Sequence, residues 1–251
     1  MKIGIPFLAL TMLSAYCATG QDTLGGKSPS KESHDYDLYR LQSSYPPYGL
    51  QKVQEMVRNL KLHDDTVGFG AKRTLSQKAY LSLSLREKFT YHMIFPESYS
   101  QNCSMMPPIP DEQDKIFAEL PEAFGEYNWS DRQTKFFLAN RDSVIQLMRE
   151  CIAKDKQVGL NFKHVIVDIS AREMIPLLIS FYNGHKRDHD LLTVLMLLMS
   201  ESEYDQFLLS ASYKKLYADP DASYKSFLIF NTANEALILK RATDFYNGLH
   251  P

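Results

Sequence analysis

Apolar residues recur at intervals of three and four in several separate stretches of this chain, the spacing that presents one face of a helix to a core. Leu50, Val53, Met56, Val57 and Leu60 form the first series, Val144, Ile145, Met148 and Cys151 a second, and Ile238, Ala242, Phe245 and Leu249 a last one. Leu191 to Met199 is apolar throughout except for Thr193. A helix there has no polar side to give to water and must be buried all round. It is also far shorter than the ~20 residues needed to cross a bilayer. His164 to Ile169 is rich in β-branched residues, but no second alternating run exists to pair with it, so the reading is helix.

Helix-start chemistry supports the same class. A Ser or Thr three residues before Glu or Gln can satisfy two orphan backbone donors reciprocally. The pattern occurs at Ser84/Glu87, Ser130/Gln133, Ser170/Glu173, Ser200/Glu203 and Thr232/Glu235. Trp129, just before Ser130, reads as the apolar residue that fixes the chain's entry into a helix, with a ligand-stacking platform as the alternative. Pro107-Pro108-Ile109-Pro110 marks a loop before a short helix from Asp111 to Leu120, and Pro121 opens the next piece. Pro176 should bend a helix over Ala171 to Tyr182 or shift its start. The last helix is expected from a Thr232 cap to Asn247, stopped by Gly248. The expected fold is all-α, an irregular helical bundle or a short α-solenoid.

The N-terminus departs from this pattern. Lys2 precedes an apolar run from Ile3 to Leu13, and Ala18-Thr19-Gly20 places small residues ahead of Gln21. Residues 1–20 read as a secretory signal peptide. Cys17 offers lipidation as an alternative, although Tyr16 stands where bacterial lipoprotein signals carry a small residue. Residues 21–48 contain Gly25-Gly26, Ser28-Pro29-Ser30 and Pro46-Pro47 with few aliphatic side chains, and are expected to be a disordered polar tether. Residues 49–251 are then one α-helical domain.

Composition adds limits. With 251 residues, 44% hydrophobic and 23% charged, the chain is ordinary globular material. Its net charge of -2, without a basic cluster, argues against a nucleic-acid partner. Cys103 and Cys151 allow one disulfide in an exported protein. Cys151 lies on an apolar helix face, however, and Cys103 in a Ser/Pro-rich loop, so two thiols that never meet are the alternative.

Met174-Ile175-Pro176-Leu177-Leu178, the turn through Asp188, and Leu191 to Met199 together resemble one HEAT-like helix pair, which implies a short α-solenoid. No self-similarity at the ~40-residue period of such arrays accompanies it. The segments Tyr127 to Gln133, Met174 to Ser180 and Phe230 to Glu235, with the export signal, are similar to uncharacterised exported helical proteins of Bacteroidota. That resemblance implies export and carries no activity.

Several groupings invite chemistry. His185, Asp188, His189 and Asp190 form the densest set of potential metal ligands. Gly184 can end one helix and Asp188 cap the next, while Lys186 and Arg187 bring positive charge, so the expectation is a solvated turn. His63-Asp64-Asp65 reads the same way. Ser212 and Lys215 have the Ser-x-x-Lys spacing of penicillin-binding proteins, but the companion motifs are missing. Glu119 and Glu122 cannot be assigned as acid and base from spacing alone. Asn102-Cys103-Ser104 and Asn128-Trp129-Ser130 fit the glycosylation pattern. Tyr204, Tyr213, Tyr217, Tyr224 and Tyr246 could supply a recognition patch or ordinary packing.

No phosphate loop, zinc helix, nucleophile elbow or dinucleotide turn occurs, so no catalytic, metal or cofactor residue is assigned. The expected function is that of an exported, non-catalytic helical protein binding a protein, peptide or glycan, with membrane attachment only through Cys17. The alternative is an exported hydrolase with dispersed catalytic residues.

Overall fold

The computed structural model describes residues 28–60, 74–100 and 107–249. Helices α1 (Lys31–Arg40), α2 (Leu50–Arg58), α3 (Gln77–Leu81) and α4 (Leu85–Ile94) come first, and short strands β1 (Ser98–Tyr99), β2 (Lys115–Phe117) and β3 (Tyr127–Asn128) follow. The chain continues through α5 (Asp131–Ala139), α6 (Arg141–Asp155), α7 (Leu160–Asp168), α8 (Ile175–Gly184) and α9 (Asp190–Glu201). It ends with α10 (Asp205–Leu208), α11 (Ala211–Tyr217), strand β4 (Phe227–Ile229) and α12 (Thr232–Leu249). The protein is all-α, as its periodicity predicts.

The continuously apolar helix α9 is the centre. Leu191, Leu192, Val194, Leu195, Met196, Leu198 and Met199 are fully buried, each contributing roughly 1.5 to 3 kcal/mol by leaving water. They are enclosed by α12, α7, α8, α10 and β2. The β-rich run His164 to Ile169 lies in α7 and at its C-cap, where Val165 and Ile166 are fully buried. Pro176 falls in the first turn of α8, where its missing N–H costs no helical bond, so it shifts the start of the helix. Ile238, Ala242 and Phe245 seat α12 on the core. The helix runs through Gly248 to Leu249, past the expected stop. A second, smaller apolar cluster of Val53, Leu75, Tyr80, Leu83 and Tyr91 joins α2, α3 and α4.

The expected helix starts divide. Ser84/Glu87 and Ser130/Gln133 form complete capping boxes on α4 and α5. Ser170 and Glu203 instead adopt left-handed backbone, with φ 46° and 52°, just after helices end. At α7 the N–H groups of Ser170 and Ala171 donate to the carbonyls of Val167 and Ile166; at α9 those of Glu203 and Tyr204 donate to Ser200 and Met199. These crossed bonds are the Schellman termination. Both Ser-x-x-Glu sequences therefore mark helix ends, not starts. The last helix is capped one residue earlier than expected, by Asn231, whose side-chain oxygen accepts the Asn234 N–H at 2.9 Å.

Two expectations fail for a common reason, distant pairing. Residues 28–48 are not a disordered tether: α1 is docked, with Ser33, Tyr36, Arg40 and Ser44 buried. Its contacts are made by hydroxyls and charge, so the lack of aliphatic residues did not prevent ordering. Asp111 to Leu120 is not a helix either. After a short turn at Glu112–Asp114, β2 pairs antiparallel with β4, Ile116 opposite Leu228. The remainder of the expected tether, residues 21–27, and the expected signal peptide with Cys17 lie outside the described residues.

Candidate functional site

The last turn of α1 carries Arg40 into the interior. Its Nε lies 3.0 and 3.1 Å from the two carboxylate oxygens of Asp190, its Nη1 donates to Glu112 at 2.7 Å, and its guanidinium stacks 4.0 Å from the Phe117 ring centre. Behind it the Lys163 ammonium donates to Asp188 at 2.6 Å and lies 3.9 Å from Asp190. Burial pushes Asp190 up, but Arg40 and Lys163 overcome it and hold the carboxyl below its ordinary value. Asp188 goes the other way, raised chiefly by burial and by Asp190 against the pull of Lys163. The His189 N–H donates to the Tyr36 hydroxyl at 3.3 Å, and its ring stacks 3.8 Å from Phe230.

This cluster corrects the reading of residues 185–190 as a solvated turn. Asp188, His189 and Asp190 are buried, and only His185, Lys186 and Arg187 face water. Nor do the side chains converge as metal ligands: the carboxylates are spent on Arg40 and Lys163, and His185 points its Nδ1 at the Phe181 carbonyl. Among the described residues no three His, Cys, Asp or Glu side chains are grouped to hold an ion.

A cavity of about 460 Å³ opens directly over the Arg40–Glu112 pair. Leu41, Ile109, Phe117, Leu120 and Tyr224 give it apolar walls. Asp37, Glu112, Glu119 and Glu122 line it as carboxylates, against the cations Arg40 and Lys225. Glu119 accepts from the Ser223 hydroxyl, which fixes it to the turn before β4. Burial, with Glu112 next in effect, raises the Asp37 carboxyl above its usual value, against smaller pulls from Arg40 and His34. The cavity exists because α1, the 107–122 segment and the approach to β4 meet there, held together by Arg40 and the β2–β4 pair.

The other sequence candidates are scattered. Ser212 and Lys215 sit on the outer side of α11, with Lys215 exposed. Tyr204 packs on Phe245 with ring centres 5.0 Å apart, Tyr213 lies 4.9 Å from Tyr217, and Tyr217 donates to the Ala118 carbonyl at 2.8 Å. The tyrosines are therefore distributed as packing residues, and Tyr224 is the member that reaches the cavity. Trp129 donates from its indole to the His92 carbonyl at 2.7 Å and meets Phe124 and Phe137 edge-on, which agrees with its reading as the residue that fixes entry into α5. Asn128 is exposed on β3, and Cys151 is buried. His63, Asp64, Asp65, Asn102, Cys103 and Ser104 lie outside the described residues, as does the Cys103 end of the possible disulfide.

A second polar centre lies between α4 and α5. His92 is fully buried and meets the Tyr80 hydroxyl through Nε2 at 3.0 Å, while its Nδ1 has no hydrogen-bond partner among the described residues. Burial, reinforced by Arg132 and Lys88, lowers its pKa to about 3. Beside it Glu97 accepts from the hydroxyls of Tyr91 at 2.7 Å and Ser130 at 2.5 Å and pairs with Arg132. Glu97 thus ties the Ser130 capping box to α4.

Arg40, Asp37, Glu112, Lys163, His92 and Glu97 all escape sequence reading. Each is an isolated polar residue in the sequence, and what surrounds it is remote in the chain or set by the turn of a helix. No helix among the described residues is long and apolar enough to cross a membrane. Comparison of the chain with protein-family models, curated proteins and solved structures finds no match.

Proposed function

We propose that this protein is an exported, non-catalytic binding protein, and that the cavity beneath α1 takes a short peptide segment of its partner. The observation that carries this reading is the cavity itself. Its volume of about 460 Å³ lies in the range of ligand pockets, and its apolar walls with a few fixed polar groups are the usual construction of a recognition site. Its polar groups favour binding over hydrolysis. Arg40 is held by Asp190 and Glu112, and Glu119 by Ser223, and among the described residues no Ser, Thr, Cys or His side chain lines the cavity. Leu41, Ile109 and Leu120 supply aliphatic wall that suits peptide side chains. Export rests on the pattern of residues 1–20.

Nile red, a neutral solvatochromic dye, tests the site. One molecule should bind per chain with blue-shifted emission, and a tripeptide mixture should displace it. Leu41→Arg, a change at a half-exposed wall position, should weaken the dye at least fivefold. Failure of the dye to bind, or binding indifferent to Leu41→Arg, refutes the site. Displacement by chitotriose and not by tripeptides replaces the peptide by a glycan.

A further inference from the structure

The cavity's charge is unbalanced in a specific way. Four carboxylates line it against two cations, and the buried cation, Arg40, is already engaged. Arg40 spends its donors on Asp190 and Glu112 and its face on Phe117. Lys225 is exposed, with its ammonium 4.9 Å from the centre of the Tyr224 ring. On the opposite side, Glu119 is occupied by the Ser223 hydroxyl, and Glu112 by Arg40 and the Ile109 N–H.

Asp37 is different. It projects from α1 into the cavity, is half-buried, and has no ion pair or side-chain hydrogen bond among the described residues. A carboxylate in that position is short of solvation and sits close to the like charge of Glu112. A folded protein ordinarily pairs such a group or keeps it in water. An incoming cation would supply what the protein does not, while the neighbouring Leu41, Phe117 and Leu120 accept apolar surface.

Building on the reading of the cavity as a peptide site, we propose that it selects a cationic amphipathic segment, a lysine or arginine side chain flanked by an apolar residue, with Asp37 as the group that receives the positive charge. The Glu112 carboxylate adds to the negative potential at Asp37, which Arg40 and His34 offset only in part. An anionic ligand of the same size meets the same carboxylates as repulsion. Selectivity therefore comes from charge, and most of the contact area from the apolar wall.

The test uses three probes with one tail and different heads: hexylammonium, hexanol and hexanoate, each titrated calorimetrically into the full chain in low salt. Hexylammonium should bind at least tenfold tighter than hexanol, and hexanoate weakest. Asp37→Asn, nearly isosteric on the helix surface, should bring hexylammonium to within about threefold of hexanol while leaving hexanol unchanged. Equal binding of all three probes overturns the charge selectivity and leaves the cavity as an apolar site. A preference for hexylammonium that survives Asp37→Asn overturns the assignment to Asp37. Binding of none of them, with Nile red also failing, removes the site itself.

Discussion

Lowering the pH from 7 to 5 should cost this protein about 2 kcal/mol through His92 alone, and His92→Phe should abolish that part of the loss. The ring is fully buried among Phe136, Phe137, Tyr80 and Tyr91, with centroid separations of 4.6, 5.6, 5.6 and 5.2 Å. Burial and the positive charges of Arg132 and Lys88 lower its pKa to about 3, against ~6.5 in an unfolded chain. Because the folded value is the lower one, the unfolded state gains the proton first as acid is added. The contribution of a neutral His92 is fully present above about pH 6.5 and falls by ~1.4 kcal/mol per unit below it until the folded ring also titrates near pH 3. Against a total stability of about 5 to 15 kcal/mol, that one group can decide where acid unfolding begins. Phenylalanine keeps the aromatic contacts and removes the titration, at a cost of roughly 1 kcal/mol for the lost Tyr80 hydrogen bond. Urea unfolding of both proteins at pH 7 and pH 5 is the assay. If the variant loses as much stability as the parent between those two values, the buried neutral histidine is not what the acid attacks.

Other outcomes follow from the same contacts. Arg40→Met should lower stability by about 3 to 5 kcal/mol, since it leaves Asp190 buried with only a 3.9 Å approach from Lys163; a loss below 1 kcal/mol in denaturant titration contradicts the clamp. Asn231→Ala should cost about 1 kcal/mol through the lost cap of α12 whereas Thr232→Ala costs a few tenths, and equal effects on melting temperature would return the cap to Thr232. Glu203→Gly should stabilise by about 0.5 to 1 kcal/mol, because glycine adopts the left-handed turn after α9 without the Cβ penalty; a destabilised variant would mean that the side chain makes a contact worth more than the strain.

What the sequence discloses depends on how far a residue's partner lies along the chain. Helices α2, α6, α9 and α12 are readable because their apolar pattern is local, and the Ser84 and Ser130 boxes because both members lie within one turn. Ser170/Glu173 and Ser200/Glu203 satisfy the same pattern and do the opposite, since a Schellman termination is set by backbone hydrogen bonds and leaves its non-glycine αL residue unmarked. β2 is hidden because three residues carry no period and their partner lies more than a hundred positions on. α1 is hidden because its docking is ionic. The cavity inherits both failures, and Glu119, Glu122 and Tyr224 were visible as residues but not as neighbours.

The Arg40–Asp190 pair spans 150 positions, which gives it a place in time as well as in space. At a synthesis rate of about 5 to 20 residues per second, Arg40 leaves the ribosome roughly 8 to 30 s before the carboxylate that holds it. Through that interval the polar first helix has no buried position to occupy, because α9, against which it anchors, does not yet exist. Closure of the amino-terminal segment onto α9 therefore cannot precede synthesis of residue 190, and a chain interrupted before that point presents the segment without its anchor.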